Sequence, residues 1–453
     1  MNNTVQIAKA TNRRIAKSST TLTFGAILMV TIAHVALGLV ANEFRIVSTV
    51  HAILVLLVGF GFILLDRTPN RLICVIAYIT GAEVLWRMTS AGIFHEYGKY
   101  AVVLLLFLAI IKWRRIFRGL PFLYFLFLTP SIILTLFTVD PALAREEISA
   151  NLSGPLAVAV AAMFFTRYKL ERSNLITTME WMAFPTISIA SISLQKIISA
   201  ESITFTASSN FLTSGGYGPN QVGAILGLGA LAAWIIVFIH QKNNQRIFFA
   251  LVFLWLMTQS VLTFSRGGVL NLVIAAVPLS LTFYKFLFKR LSTLLIVLII
   301  LFSVVLVIIP RLEVFTQGTL EERYADLSIT NRNILMQADI DAFLEHPLAG
   351  IGPGMAKTYY EETLGIKSAA HTEYTRVLSE HGILGILSLI VLGIILLRSI
   401  QYNKSWAARG MVMAFAFWAL AEMTHSAMRI EAVAFCIGIA TCIFEIDDIR
   451  KKT

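Results

Sequence analysis

Histidine, arginine and carboxylate side chains stand beside long apolar runs at several points of this sequence, and those boundaries are where chemistry is to be sought. The stretch SAAHTEYTRVLSEHGILGIL, residues 368–387, sets His371, Glu373, Arg376, Glu380 and His381 directly against an apolar run. A histidine at a water–lipid boundary can take a proton as a general base; position alone fits equally an interfacial ring that only hydrogen-bonds its loop. Arg266, in FSRGG, separates two apolar runs that have almost no residues joining them. A guanidinium so close to hydrocarbon calls for a partner or an anionic ligand, unless it snorkels to the interface. The glycines after it allow a second backbone or a ligand to come close. Arg332, in NRNILMQADIDAFLEHPLAGIGPG, opens a helical pattern, and its planar fork suits phosphate oxygens as lysine does not. A solvated residue of a surface helix is the plain alternative.

Other polar residues have simpler readings. Asn220 follows Gly-Pro at the start of an apolar run, which is turn and cap chemistry before it is a substrate contact. Glu83 and Arg87 are four apart in one run and pair with each other. Glu422, His425 and Arg429 make a second polar face that could line the same site as His371. The acidic doublets at 146–147, 321–322 and 361–362 diverge by about 100° on a helix, so they read as solvated faces and no metal site is expected. No phosphate-binding glycine loop, dinucleotide fingerprint or nucleophile elbow occurs in a supporting context, so no cofactor is expected.

The elements that must position these residues are membrane helices. Of 453 residues 57% are hydrophobic and 14% charged, outside the range of a soluble domain. Apolar runs of about 20 residues recur from Leu22 to Phe444, about 14 in all, and lipid-facing backbone must be satisfied within its own segment. The fold class is therefore all-α and polytopic, with about 12 to 14 transmembrane helices. The polar first 20 residues lead into a run too long for a signal-peptide core, so the first span is expected to be retained. The net charge of +11 has a topological origin. With a cytoplasmic N-terminus, about 24 of the 37 basic residues fall inside, in clusters such as KWRRIFR and RYKLER, while about 21 of the 26 acidic ones fall elsewhere. Nucleic acid is not needed to explain the charge. Cys74, Cys436 and Cys442 lie in apolar runs and behave as small buried hydrophobes.

Residues 1–453 read as a single membrane domain. Residues 310–375 form one large outer, periplasmic loop, in a chain whose other connections are short. Within it, apolar residues at 334, 335, 338, 340, 343 and 344 predict an amphipathic helix capped by Thr330 or Asn331. His346-Pro347 and the glycines at 350, 352 and 354 end that helix.

Together, FSRGG, NRNILMQADIDAFLEHPLAGIGPG and HTEYTRVLSEHGILGIL resemble the O-antigen ligase and O-antigen polymerase superfamily of bacterial membrane glycan transferases. The resemblance covers residues 210–395, and it departs at Thr372, where the family often has asparagine after the histidine. It implies a GT-C-like enzyme of the bacterial inner membrane with its active site on the periplasmic side. The donor would be an undecaprenyl-diphosphate-linked glycan, and the acceptor lipid A-core or another glycan; membrane lipid would be a further partner, and nucleic acid none. Transfer would be metal-independent and inverting. His371 would be the base and Arg266 and Arg332 would stabilise the departing diphosphate, with Asn220, Arg376 and Arg429 as substrate contacts. A ligase is preferred, with a polymerase that uses a second lipid-linked repeat unit as the alternative. A lipid-linked glycan transporter is more distant, because transporters gather polar groups near the bilayer midplane, whereas here they gather at one face.

Overall fold

The computed structural model describes residues 22–115, 119–289, 291–325 and 332–446. About three quarters of them are helical, as lipid solvation of the backbone demands of the spans. Among the described residues, nine helices are long and apolar enough to cross a membrane. The helices Asn70–Met88, Tyr97–Lys112 and Trp406–Glu422 are shorter or carry more charge, yet they pack in the same bundle. Pro219–Ile239 and Arg172–Ser199 form its centre, their apolar windows being 100% and 94% buried. Phe24–Glu43, Arg45–Leu65 and Leu291–Phe315 bury about a fifth of theirs and present the rest outward, the disposition of helices solvated by lipid. This is an all-α, multi-pass membrane protein.

Two local features differ from the sequence reading. Lys169–Glu171 and Ile443–Glu445 pair as a short parallel ladder in which Leu170 and Phe444 are buried opposite each other. Each is too short to register as a strand in a helical sequence. The last span before the long connection also runs through Pro310 to Phe315. A π turn over Val304–Ile308 precedes the proline and widens the backbone where its missing N–H and its ring would break a regular helix.

Between Phe315 and Glu373 the chain forms the short helices Thr319–Ala325, Arg332–Glu345 and Met355–Leu364. The cap positions Thr330 and Asn331 lie outside the described residues. Leu335, Ala338, Ala356, Tyr360 and Ala370 form a small core here, separate from that of the bundle. The apolar residues of Arg332–Glu345 do not share one face. Leu335, Ala338 and Ala342 point inward with Asp339, whereas Ile340 and Leu344 are exposed.

The turn His346–Gly354 docks into the long helix Glu373–Tyr402. Ile351 and Gly352 donate backbone hydrogen bonds to the carbonyls of Ser379 and Glu380, and Ile383 donates to that of Pro347. Gly382, at φ +60°, kinks the long helix to receive the turn. A Cβ on Gly350, at φ +71°, would lie 2.3 Å from the Glu380 carbonyl carbon. Both glycines are needed, because at each a positive φ coincides with a backbone crossing.

Candidate active site

The segments that carry the candidate residues end at the same face of the bundle. Arg266 begins the helix Arg266–Lys289, and only three residues separate it from the end of the preceding helix at Leu262. The tight connection is possible because Phe264 adopts φ +56° and Ser265 donates its backbone N–H to Thr263 Oγ1. Asn220, at the start of Pro219–Ile239, accepts a hydrogen bond from Ser265 Oγ at 2.9 Å, so it braces the Ser-Arg-Gly turn. The glycines after Arg266 do admit close approach. A Cβ on Gly267 would meet the His425 ring at 2.2 Å, and one on Gly268 would meet the Gly223 backbone at 2.3 Å.

His371 immediately precedes the N-terminus of the long helix. Thr372 is its N-cap, accepting from the Thr375 backbone N–H at 3.1 Å, so the hydroxyl that stands in place of asparagine orders this loop. The helix base is tied to the next span: the Glu373 N–H donates to the Met423 carbonyl, and the Tyr374 hydroxyl donates to the Leu420 carbonyl. Those contacts set His371 beside the segment 423–431, which carries His425 and Arg429. Arg429 reaches back and donates to the carbonyl of Ala370, the residue before His371, at 2.8 Å.

Arg332 is joined to this group by Asp339, two turns further along the same helix. Asp339 is 2% exposed. Its Oδ1 accepts from the hydroxyls of Tyr360 and Ser379 at 2.5 and 2.9 Å, and its Oδ2 from Thr375 at 2.6 Å. Burial pushes its pKa up and the three hydroxyl donors oppose that shift. One carboxylate thus clamps the Arg332 helix to the Met355–Leu364 helix and to the base of the long helix.

The charges are close enough to perturb one another. Burial, then the charges of Arg332 and Arg429, lowers the His371 pKa to about 4, so the imidazole is neutral at physiological pH. Arg332 is itself pressed below the usual guanidinium value by burial and by Arg266 and Arg429, with Glu422 acting in the opposite sense. His425 falls to about 4 through burial and Arg332. Glu422 Oε2 accepts from Asn271 Nδ2 at 2.5 Å, and Asn271 Oδ1 lies 3.0 Å from His425 Nε2. Three arginines, two neutral histidines and one carboxylate therefore share one electrostatic neighbourhood. It is suited to an anion carrying more than one negative charge beside a proton acceptor.

Arg376 acts on Arg429 through its charge but directs its own donors elsewhere. It is 3% exposed, and its five N–H donors are directed to Glu373, Glu380 and Asn151, both carboxylate contacts being 2.6 Å. His381 is buried against Ser131. The segment after His371 is thus both site and anchor: His371 opens to the cluster, while Arg376, Glu380 and His381 fix the helix that carries it. Glu83 and Arg87 pair at 2.7 Å as their spacing predicts, and they do more. Glu83 accepts from the Glu431 N–H, and Arg87 donates to the Arg429 carbonyl, so the pair holds the loop that presents Arg429.

Asp339 and Asn271 are the residues that sequence reasoning passes over. Asp339 had a signal in its periodicity, an acid on the helix face that also carries Leu335 and Ala342. Asn271 had one in its place, an amide five residues into a span after Arg266.

Comparison with characterised proteins found no match over this chain. Residues 251–390 match the family model described as O-antigen ligase. The matched segment contains Arg266, Arg332, His371 and Arg376, and it leaves Asn220 and Arg429 outside. Over this segment, the chain is similar to the O-antigen ligase family of membrane enzymes.

Proposed function

We propose that this protein is an O-antigen ligase, transferring a glycan from undecaprenyl diphosphate to lipid A-core at the periplasmic face of the inner membrane. The observation that carries the reading is the convergence of Arg332 and Arg429 on a neutral His371, with Arg266 beside Arg332. An acceptor hydroxyl attacks the anomeric carbon and His371 takes its proton. The bond from that carbon to the diphosphate oxygen breaks, and the lipid diphosphate departs with the electron pair. The guanidinium groups stabilise the charge that builds on the leaving oxygens, which a divalent cation does in many sugar transferases. A single displacement inverts the anomeric centre. Arg376 acts as a positioning residue, since its donors are taken up within the protein.

The test is deletion of the gene in its host, with lipopolysaccharide run beside the parent. Loss of long chains from lipid A-core while lipid-linked polymer accumulates supports the ligase. Core capped by a single repeat unit identifies the polymerase, which would use the same donor site. An unchanged profile overturns both. Transport without chemistry is tested separately, by asking whether purified protein with donor and acceptor makes a new glycosidic bond.

A further inference from the structure

At the far end of the long helix lies a second concentration of positive charge that the transfer reaction does not use. Beyond the kink at Gly382, the long helix runs from Ile383 to Tyr402, about 30 Å at about 1.5 Å per residue, which matches the thickness of a hydrocarbon core, and Arg398 lies in its last turns. The two regions therefore stand at opposite membrane faces. Arg398 borders a cavity of about 490 Å³ between the helices that end near residues 112, 165 and 402. Arg114, Arg115 and Arg167 line the same cavity, and among the described residues no acidic side chain does.

Arg114 and Arg115 belong to KWRRIFR and Arg167 to RYKLER, clusters whose presence the positive-inside rule already accounts for. That rule requires only that basic residues lie on the cytoplasmic side. It does not require them to converge from three separate parts of the chain on one cavity, nor to be held in place. Arg114 and Arg167 have φ of +52° and +58°, a backbone conformation that side chains other than glycine seldom adopt. Arg167 lies 4.4 Å from the Tyr402 ring centre and donates to its hydroxyl at 2.9 Å. Arg115 stacks 4.9 Å from the Tyr168 ring. Among the described residues none of the four arginines is paired with a carboxylate. The walls include apolar Leu120, Met163 and Ile395, and the neighbouring Ile394 and Leu397 are exposed toward lipid.

We propose that this cavity binds the phosphate headgroup of an anionic phospholipid, its acyl chains leaving along the exposed side of the long helix. Four guanidiniums beside an apolar wall match a ligand that is anionic at one end and aliphatic at the other. The shared chemistry is a phosphate ester, so the test must separate lipid from free phosphate. Full-length protein in neutral detergent is titrated with phosphatidylglycerol, phosphatidylcholine or inorganic phosphate, and bound lipid is counted by native mass spectrometry. Phosphatidylglycerol should bind preferentially, and Arg114→Gln with Arg398→Gln should weaken it by about fivefold for each arginine removed. Arg114→Lys with Arg398→Lys should retain most of the preference, which separates loss of charge from loss of fold. Equal binding of the two lipids, or a preference that survives both glutamine substitutions, overturns the site. Displacement of phosphatidylglycerol by equimolar inorganic phosphate overturns the lipid assignment.

Discussion

His371 is a neutral ring among positive charges, and that fixes how its basicity must respond to substrate. In the free protein, burial and the charges of Arg332 and Arg429 hold its pKa near 4, so kcat/KM should stay flat from pH 7 down to about pH 5. A bound diphosphate offsets those charges and favours the imidazolium, so the acid limb of kcat should lie at higher pH than that of kcat/KM. Coincident limbs in the two profiles would remove His371 from proton transfer. His371→Ala should lower turnover by about 10² to 10⁴-fold while leaving expression and membrane insertion intact, as measured by in vitro transfer and by membrane fractionation. Arg332→Lys keeps the charge but loses the fork, so kcat should fall more than KM rises if Arg332 acts on the departing diphosphate.

At the scale of elements, the site depends on clamps outside it. Asp339→Ala leaves the hydroxyls of Tyr360, Ser379 and Thr375 without their shared acceptor and frees the helix that presents Arg332. The cost should be about 2 to 4 kcal/mol, read as a lower unfolding temperature and faster proteolysis between residues 332 and 364. Glu380→Gln weakens one side of the buried Arg376 pair, and Glu380→Ala removes it. The alanine variant should lose about 3 to 5 kcal/mol and fail to accumulate in membranes, with the glutamine variant intermediate. Normal accumulation of the alanine variant would show that the pair does not anchor the long helix.

For the whole molecule, the arrangement predicts sidedness. Glu362 lies in the connection that carries the candidate site, and Gln401 lies at the opposite end of the long helix; both are exposed. In a cysteine-free background, Glu362→Cys should react with an impermeant thiol reagent in intact spheroplasts, whereas Gln401→Cys should react only after the membrane is opened. The reverse pattern would invert the topology and place Arg266, Arg332 and Arg429 on the cytoplasmic side. The basic cavity at the other face depends on the same orientation, because anionic headgroups act strongly on the cytoplasmic leaflet surface.

Composition and the recurrence of apolar runs determined by themselves that the chain is an all-α membrane protein, since hydrocarbon leaves the backbone no other way to satisfy its hydrogen bonds. Sequence also held the types of the candidate site residues, because histidine and arginine beside an apolar run are costly enough to stand out. Only the tertiary structure decided which of them share a neighbourhood. Arg376 and Arg429 look alike in sequence, yet one is enclosed by Glu373, Glu380 and Asn151, and the other is turned toward His371 by the Glu83–Arg87 pair from a distant span. Asp339 was illegible for the same reason. Its partners come from three helices, and a side chain's neighbours across a fold leave no trace in the spacing along its own segment.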